Sequence, residues 1–137
     1  MVGKFGGDVS PHDTWQRLVA DSQAVLMDVR TEAEWAAVGG PDLSSLNRPV
    51  IRVEWQQPTG LRNPSFAEAV AAEGVQPRHP VYVICRSGVR SRAAAELLAA
   101  LGYTTYNVAN GFEGQMDGAG HRTLNGWKID GLPATPN

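Results

Sequence analysis

The 137-residue chain lacks several features that would place it in a special class of protein. It has a single cysteine, so no disulfide can form within it. It has no run of about 18 consecutive apolar residues, the length that a membrane-spanning helix requires. Its net charge is only -2, which gives no general field for nucleic acid or an acidic membrane. We therefore expect a cytoplasmic protein with no nucleic-acid and no membrane partner, in which any anion is bound by local groups.

The length and the composition are those of an ordinary globular domain. With 42% hydrophobic and 19% charged residues, the chain can enclose one apolar core and is too short for two. We therefore expect residues 1–137 to form a single domain.

Short segments rich in β-branched and apolar residues alternate with segments of helical periodicity. The predicted strands are residues 25–29, 50–53, 81–84 and 104–108. The predicted helices begin at Ser10, Thr31, Asn63 and Ser91. The last helix runs to Leu101, and Gly102 follows where a left-handed residue ends a helix. This alternation predicts an α/β fold, a central parallel β-sheet with helices on both faces.

The only cysteine, Cys85, directly follows the predicted strand 81–84 and precedes the last helix. Ligand sites of parallel sheets lie at this carboxyl end of the strands. Backbone N-H groups at a helix start can converge on the sulfur, and the charges of Arg86 and Arg90 also favour thiolate over thiol. Cys85 is therefore the predicted nucleophile. The residues predicted to cradle an anion at the sulfur are Arg86, Ser87, Gly88, Val89, Arg90 and Ser91.

An inert role for Cys85 is the alternative, because free cysteines are commonly buried in apolar cores. Arg86 and Arg90 argue against that role, since two guanidinium groups in a buried turn need partners or water. The loop sequence therefore favours a reactive thiol.

Several motifs resemble those of the rhodanese family, single-domain sulfurtransferases. Residues 26–35, LMDVRTEAEW, are similar to the first family signature, and residues 83–91, VICRSGVRS, are similar to its active loop. Residues 98–103, 110–114 and 126–133 also resemble later family landmarks. The resemblance spans almost the whole chain and implies a rhodanese-like fold.

The resemblance also implies a reaction, in which the Cys85 thiolate takes a sulfane sulfur from thiosulfate or a similar small donor. The resulting persulfide passes that sulfur to an external thiol or to cyanide, since the chain has no second cysteine. A partner protein carrying a persulfide is another expected donor. We expect no cofactor and no metal, because His12, His79 and His121 are far apart in sequence and lack the usual ligand spacing.

Four charged residues are expected to bind substrate or to support the loop. We expect Arg86 to contact a small oxyanion, and Arg90 to brace the loop by pairing with a carboxylate such as Asp28 or Glu34. Asp28 either orients the loop, pairs with an arginine, or serves only as a turn carboxylate. Arg30 resembles a family position that lines or supports the site.

Two segments depart from the family pattern, residues 36–43 and the insertion-like residues 115–125. Both are expected to reshape the rim of the pocket and so to affect which substrate fits.

Two other functions are compatible with a cysteine at a helix start. A cysteine-dependent phosphatase or arsenate reductase has a longer loop, whereas only four residues separate Cys85 from Arg90. The shorter loop favours a sulfur atom over a phosphoryl group. A non-enzymatic module that carries a persulfide for a partner protein would use the same loop and stays an alternative.

Overall fold

The computed structural model describes residues 3–135 of the chain. Its strands are β1 (Lys4–Val9), β2 (Val25–Asp28), β3 (Ile51–Arg52), β4 (Pro80–Ile84) and β5 (Thr104–Val108). Its helices are α1 (Pro11–Ala20), α2 (Glu32–Val38), α3 (Phe66–Ala72) and α4 (Val89–Ala100), with a 3-10 turn at Ser44–Leu46.

The strands form one five-stranded sheet in the order β1-β5-β4-β2-β3, and every neighbouring pair is parallel. Val81 and Val83 face α3 and α4. Leu26 and Ile84 face the opposite side, where Leu18 of α1 covers them. Because both faces are covered, the central strands are nearly continuous apolar runs. The predicted α/β fold with helices on both faces of a parallel sheet is confirmed. Within residues 3–135, no helix is both long enough and apolar enough to cross a bilayer.

The edge strand β1 was absent from the four predicted strands. Its sequence contains Gly6 and Gly7, and its pairing with β5 is irregular between Phe5 and Asp8. A Cβ at Gly6 would lie 2.2 Å from the ring of Tyr106, so glycine makes room for that ring. The strand forms because of its distant partner β5, and its own sequence carries little strand signal.

The helix starts follow their capping residues. Ser10 caps α1 by accepting a hydrogen bond from the N-H of Asp13, at 3.1 Å. Thr31 and Glu34 form the predicted capping box of α2. Both starts agree with the prediction from the sequence.

The other two helices begin elsewhere than predicted. Helix α3 begins at Phe66, because Asn63 accepts a hydrogen bond from the N-H of Ser65 and closes a turn there. Helix α4 begins at Val89, two residues before the predicted Ser91, directly after a left-handed Gly88. Only residues 86–88 therefore separate Cys85 from α4, so the loop is two residues shorter than predicted.

The C-terminal segment returns to the loop that follows α2. Trp127 is fully buried, and its indole N-H donates to the carbonyl of Pro133 at 2.7 Å. Ala134 bridges to Pro41, and the N-H of Thr135 donates to the carbonyl of Gly40 at 2.8 Å. These contacts fix the loop at Gly40 and Pro41 beside the carboxyl end of β2.

Candidate active site

Cys85 lies at the carboxyl end of β4, and the start of α4 turns back over it. Gly88, the residue before α4, has φ 107°. Only glycine adopts such a left-handed conformation without strain. The turn brings the first backbone N-H groups of α4 toward the cysteine, as the sequence predicts.

The sulfur of Cys85 is surrounded by hydrogen-bond donors. The N-H of Gly88 lies 3.1 Å from Sγ, the N-H of Ser91 3.3 Å and the hydroxyl oxygen of Ser91 3.2 Å. A thiolate accepts several hydrogen bonds, and donors at a helix start stabilise its charge. Cys85 is only 1% exposed and also belongs to the apolar layer under α4. The arrangement suits a negatively charged sulfur held in a fixed position.

The remaining members of the predicted cradle occupy different positions. The carbonyl of Ser87 accepts a hydrogen bond from the side chain of Gln115 at 2.7 Å. Val89 is 76% exposed, so its side chain covers no part of the sulfur. Gly88 and Ser91 are the two predicted cradle residues whose groups reach Sγ directly.

Arg90 ties α4 to α2 through an ion pair. Its two terminal nitrogens lie 2.6 and 2.9 Å from the two carboxylate oxygens of Glu34. Burial by itself raises the pKa of Glu34, but the hydrogen bonds and charge of Arg90, with the bonds from Thr31, lower that pKa to about 2. The hydrogen bonds from Arg90 to Glu34 in turn raise the pKa of the guanidinium. Of the two carboxylates considered for Arg90, the structure thus places it on Glu34.

Arg86 lies at the surface beside a carboxylate. Its Nε is 3.4 Å from an oxygen of Glu113, and 48% of its side chain is exposed. Its carbonyl accepts hydrogen bonds from the N-H groups of Glu113 and Gly114. The backbone of Arg86 is therefore fixed while its guanidinium can exchange Glu113 for another anion. Contact between Arg86 and a substrate oxyanion stays a prediction.

Asp28 and Arg30 form a fully buried ion pair after β2. The carboxylate of Asp28 accepts bonds from both Nε and Nη2 of Arg30, the latter at 2.7 Å, and Nη2 also donates to the carbonyl of Gly39. The guanidinium stacks 4.6 Å above the ring of Phe112. Since the N-H of Phe112 donates to the carbonyl of Cys85, the pair supports the reactive loop from below. Their part in catalysis stays a prediction.

Several residues near the sulfur were not predicted from the sequence. Asn107, in β5, has its amide oxygen 2.5 Å from the hydroxyl oxygen of Ser91, and its amide nitrogen donates to Asp8. Gly111 lies so close that a Cβ there would be 2.5 Å from the carbonyl oxygen of Cys85. The position of Asn107 within a predicted strand was the available signal, because polar groups that a sheet buries require partners.

The two segments that depart from the family pattern both contact the site. The insertion-like segment supplies Gln115, which bonds the carbonyl of Ser87. The segment after α2 supplies Gly39, which holds Arg30. Within residues 3–135, no group of three or more histidine, cysteine or acidic side chains is arranged to bind a metal ion.

A wide cleft of about 610 Å³ lies beside α2. Its lining includes Glu32, Glu34 and Glu54, so the cleft is acidic. Glu34 is also the partner of Arg90 and links the cleft to the start of α4.

The chain is similar in sequence to a known protein family and to several of its relatives. The model of the rhodanese-like domain family matches residues 10–116. The protein RC0915 of Rickettsia conorii is 35% identical over 121 residues, which cover 87% of this chain and 89% of that protein. The thiosulfate sulfurtransferase GlpE of Actinobacillus pleuropneumoniae is 29% identical over 127 residues, which cover 92% and 90% of the two chains.

A solved structure extends the similarity to nearly the full length. The crystal structure of Rv0390 from M. tuberculosis superposes with a TM-score of 0.89 at 46% identity, and the match covers 98% of this chain and 100% of that one. Strand β1, which carries Asp8, precedes the part that the family model matches.

Proposed function

The chain belongs to the rhodanese-like domain family, and on that premise we propose that it is a thiosulfate-type sulfurtransferase working through a persulfide on Cys85. One observation carries the proposal: two backbone N-H groups and one hydroxyl group converge on the sulfur of Cys85 at 3.1 to 3.3 Å. The thiosulfate sulfurtransferase activity named for the GlpE relative agrees with it.

In the first half of the proposed reaction, the Cys85 thiolate attacks the outer sulfur of thiosulfate. A new sulfur-sulfur bond forms on Cys85 while the bond to the sulfonate sulfur breaks, and sulfite leaves with that electron pair. Negative charge is present on the nucleophile, on the donor and on both products. Hydrogen-bond donors fixed in advance, such as the N-H groups of Gly88 and Ser91, stabilise that charge without reorganising.

In the second half, an acceptor thiolate or cyanide attacks the outer sulfur of the persulfide. The bond to Cys85 Sγ breaks, the acceptor leaves with the sulfur, and Cys85 is again a thiolate. The chain has no other cysteine, so this acceptor comes from outside. The same donors hold the sulfur in the starting and the final state, which makes the site reusable without a cofactor.

Arg86 is the proposed contact for the sulfonate group of the donor. It adjoins the nucleophile in sequence, and its pair with Glu113 is long and half exposed. Such a surface pair contributes little free energy, so a dianionic donor competes with Glu113 for the guanidinium.

A phosphatase function is disfavoured by the position of Arg90. In a phosphate-binding loop the arginine after the cysteine would bind the phosphoryl oxygens, but both terminal nitrogens of Arg90 are bonded to Glu34. Breaking this pair would leave Glu34 partly buried without its cation, which is unfavourable.

The test is formation of thiocyanate from thiosulfate and cyanide. We expect turnover by the parent protein and none by Cys85→Ser or Cys85→Ala, with thermal unfolding confirming that both variants are folded. Residual turnover in either variant would contradict the role of Cys85. Hydrolysis of an aryl phosphate without any thiocyanate formation would favour the phosphatase instead.

A second assay separates the enzyme from a carrier module. The parent protein is offered thiosulfate in one arm and a persulfidated protein in the other, with the same external thiol as acceptor. Turnover with thiosulfate supports the proposed activity, whereas transfer only from the protein donor would favour the carrier.

A further inference from the structure

The hydroxyl group of Ser91 lies between two groups that both require its single proton. Its oxygen is 3.2 Å from Sγ of Cys85 and 2.5 Å from the amide oxygen of Asn107. Since a serine hydroxyl donates one hydrogen bond and accepts others, it cannot donate to both neighbours at once. Which neighbour receives the proton depends on how the amide of Asn107 is oriented.

The orientation of Asn107 is fixed by two acceptors on its other side. The amide nitrogen lies 3.0 Å from a carboxylate oxygen of Asp8 and 3.2 Å from the carbonyl oxygen of Gly88. Neither oxygen can donate, so the nitrogen must face them, and the amide oxygen must face Ser91. That oxygen can only accept, which assigns the Ser91 proton to Asn107 in this arrangement.

This assignment has an opposite effect on the two forms of Cys85. A protonated thiol donates its hydrogen to the free lone pair of Ser91, so every group is satisfied. A thiolate keeps the hydrogen bonds from the N-H groups of Gly88 and Ser91. It gains a hydrogen bond from the Ser91 hydroxyl only if that hydroxyl turns away from Asn107. The turn is a rotation about the Cβ-Oγ bond, and the proton that Cys85 loses goes to solvent.

We propose that Asn107 is a positioning residue which, fixed by Asp8, holds the Ser91 proton and thereby limits the thiolate form of Cys85. Asp8 belongs to β1 and lies outside the segment that matches the family model, so the residue that fixes Asn107 comes from outside that segment. The inference rests on the proposed function because it concerns the same thiol. Its test reads ionisation and alkylation, so it can fail while sulfur transfer succeeds.

Asn107 is a buried polar residue that joins β1 to the start of α4 through Asp8 and Gly88, in addition to its bond with Ser91. It is 3% exposed within a strand whose neighbour Val108 is fully buried. Charged side chains near this network include Arg90, with its partner Glu34, and Arg92, whose Nη1 lies 3.3 Å from a carboxylate oxygen of Asp8. The variants below leave these three side chains unchanged, so a change in the thiol reports on Ser91 and its partners.

The first experiment replaces Asn107 with leucine, which has the same branching at Cγ and cannot accept a hydrogen bond. Alanine is less suitable because Asn107 lines a cleft of about 280 Å³, from which water could enter and replace the amide. The thiolate fraction near neutral pH is read from its ultraviolet absorbance, with Cys85→Ala as the blank. We expect Asn107→Leu to increase that fraction and to speed alkylation by iodoacetamide about fivefold, because Ser91 then donates to sulfur.

The second experiment repeats the change without the hydroxyl group. In a Ser91→Ala background, Asn107→Leu is expected to leave both the absorbance and the alkylation rate unchanged. An equal increase in that background would mean that Asn107 acts through the packing of α4, and the proposal would be wrong. It would also be wrong if Asn107→Leu alone left the thiol unchanged or made it less reactive.

A pair of Asp8 variants tests the same network at the surface, where unfolding is not a concern. Asp8→Ala removes the acceptor for the Asn107 amide, whereas Asp8→Asn removes the charge and retains an acceptor oxygen. We expect alkylation to rise about twofold in Asp8→Ala and less in Asp8→Asn, since the carbonyl of Gly88 still holds the amide. Equal changes in the two variants would assign the effect to charge and would exclude Asp8 as the group that fixes Asn107. This pair decides the question if Asn107→Leu does not fold.

Discussion

The neighbouring strands β2 and β4 end at the same edge of the sheet but present opposite kinds of polar site. After β2, the charges of Asp28 and Arg30 neutralise each other and are fully buried. After β4, backbone N-H groups of Gly88 and Ser91 point at one sulfur atom and share it. The first site is closed by the protein itself, while the second gathers donors around an atom that can gain and lose a charge.

Under the proposed function, this difference separates a supporting site from a reactive one. A buried ion pair has satisfied its charges internally and resists change, since removing one partner leaves the other unpaired. Donors aimed at a thiolate keep their function when an anionic sulfur is added to it. Phe112 joins the two sites: its ring stacks on Arg30, and its backbone N-H donates to the carbonyl of Cys85.

The largest expected effect comes from breaking the closed site. Asp28→Leu leaves Arg30 buried without its carboxylate and should lower the free energy of unfolding by about 3–5 kcal/mol, measured by urea denaturation. The double variant Asp28→Leu/Arg30→Met removes both charges and should lose much less. If the double variant were as unstable as the single one, the loss would come from packing rather than from the uncompensated charge.

The next prediction tests how closely Gly111 approaches the backbone of Cys85. Gly111→Ala places a Cβ 2.5 Å from the carbonyl oxygen of Cys85 at a residue with φ 63°. We expect it to lower the free energy of unfolding by about 3 kcal/mol, from strain together with steric overlap.

Gly60→Ala is the matched control for Gly111→Ala. Gly60 has φ 89°, and a Cβ there meets nothing within 4 Å. This control should lose only about 1 kcal/mol, from the left-handed conformation alone. Equal losses in the two variants would show that the overlap with Cys85 is relieved at no cost.

A third prediction concerns donor recognition at the reactive site. Arg86→Ala should lower kcat/KM for thiosulfate. The expected loss of transition-state stabilisation is about 1.5–3 kcal/mol, the value of a hydrogen bond to a charged group. The free energy of unfolding should be nearly unchanged, because the pair between Arg86 and Glu113 is half exposed. Arg78→Ala, an exposed arginine before β4, is the control and should retain full activity. An unchanged rate in Arg86→Ala would make Arg86 a surface residue only.

The smallest effect is expected at the ion pair that joins α4 to α2. Burial raises the pKa of Glu34, but the hydrogen bonds and charge of Arg90, together with the hydrogen bonds from Thr31, lower it from 4.5 to about 2. A carboxyl whose pKa is depressed by folding stabilises the fold above its unfolded pKa, and that stability is lost as the pH falls through the folded pKa. Glu34→Gln should therefore lower the free energy of unfolding by about 1 kcal/mol near neutral pH.

The pH profile distinguishes this pair from simple packing. The difference between parent and Glu34→Gln should shrink as the pH falls from 4.5 to about 2. The control Glu32→Gln changes an exposed carboxylate on the same helix and should show no such trend. A difference that does not depend on pH would mean that the charge of Glu34 contributes nothing.

Much of the fold could be predicted because its signals are local. The strands β2 and β4 are buried runs of mainly apolar residues, and β5 is rich in β-branched and aromatic residues. The capping residues Ser10 and Thr31 start their helices where expected. The position of Cys85 at a strand end before a helix was equally visible. These features depend on a few adjacent residues and the periodicity of their neighbours.

What could not be predicted depends on contacts between distant residues. Strand β1, with its two glycines, is ordered by β5, about a hundred positions further along the chain. The choice of Glu34 rather than Asp28 as the partner of Arg90 follows from where α2 lies against α4. Asn107 likewise meets Ser91 and Asp8 only in the folded sheet. No local pattern records such pairings, because the sheet order sets them.

The central claim is that Cys85 is a reachable thiolate that accepts sulfur, and intact-mass spectrometry after treatment with thiosulfate tests it most directly. The account predicts that the native protein gains the mass of one sulfur atom, that a reductant removes it, and that Cys85→Ser gains nothing. A native protein whose mass stays unchanged, and whose thiol reacts with iodoacetamide only after denaturation, would contradict the account.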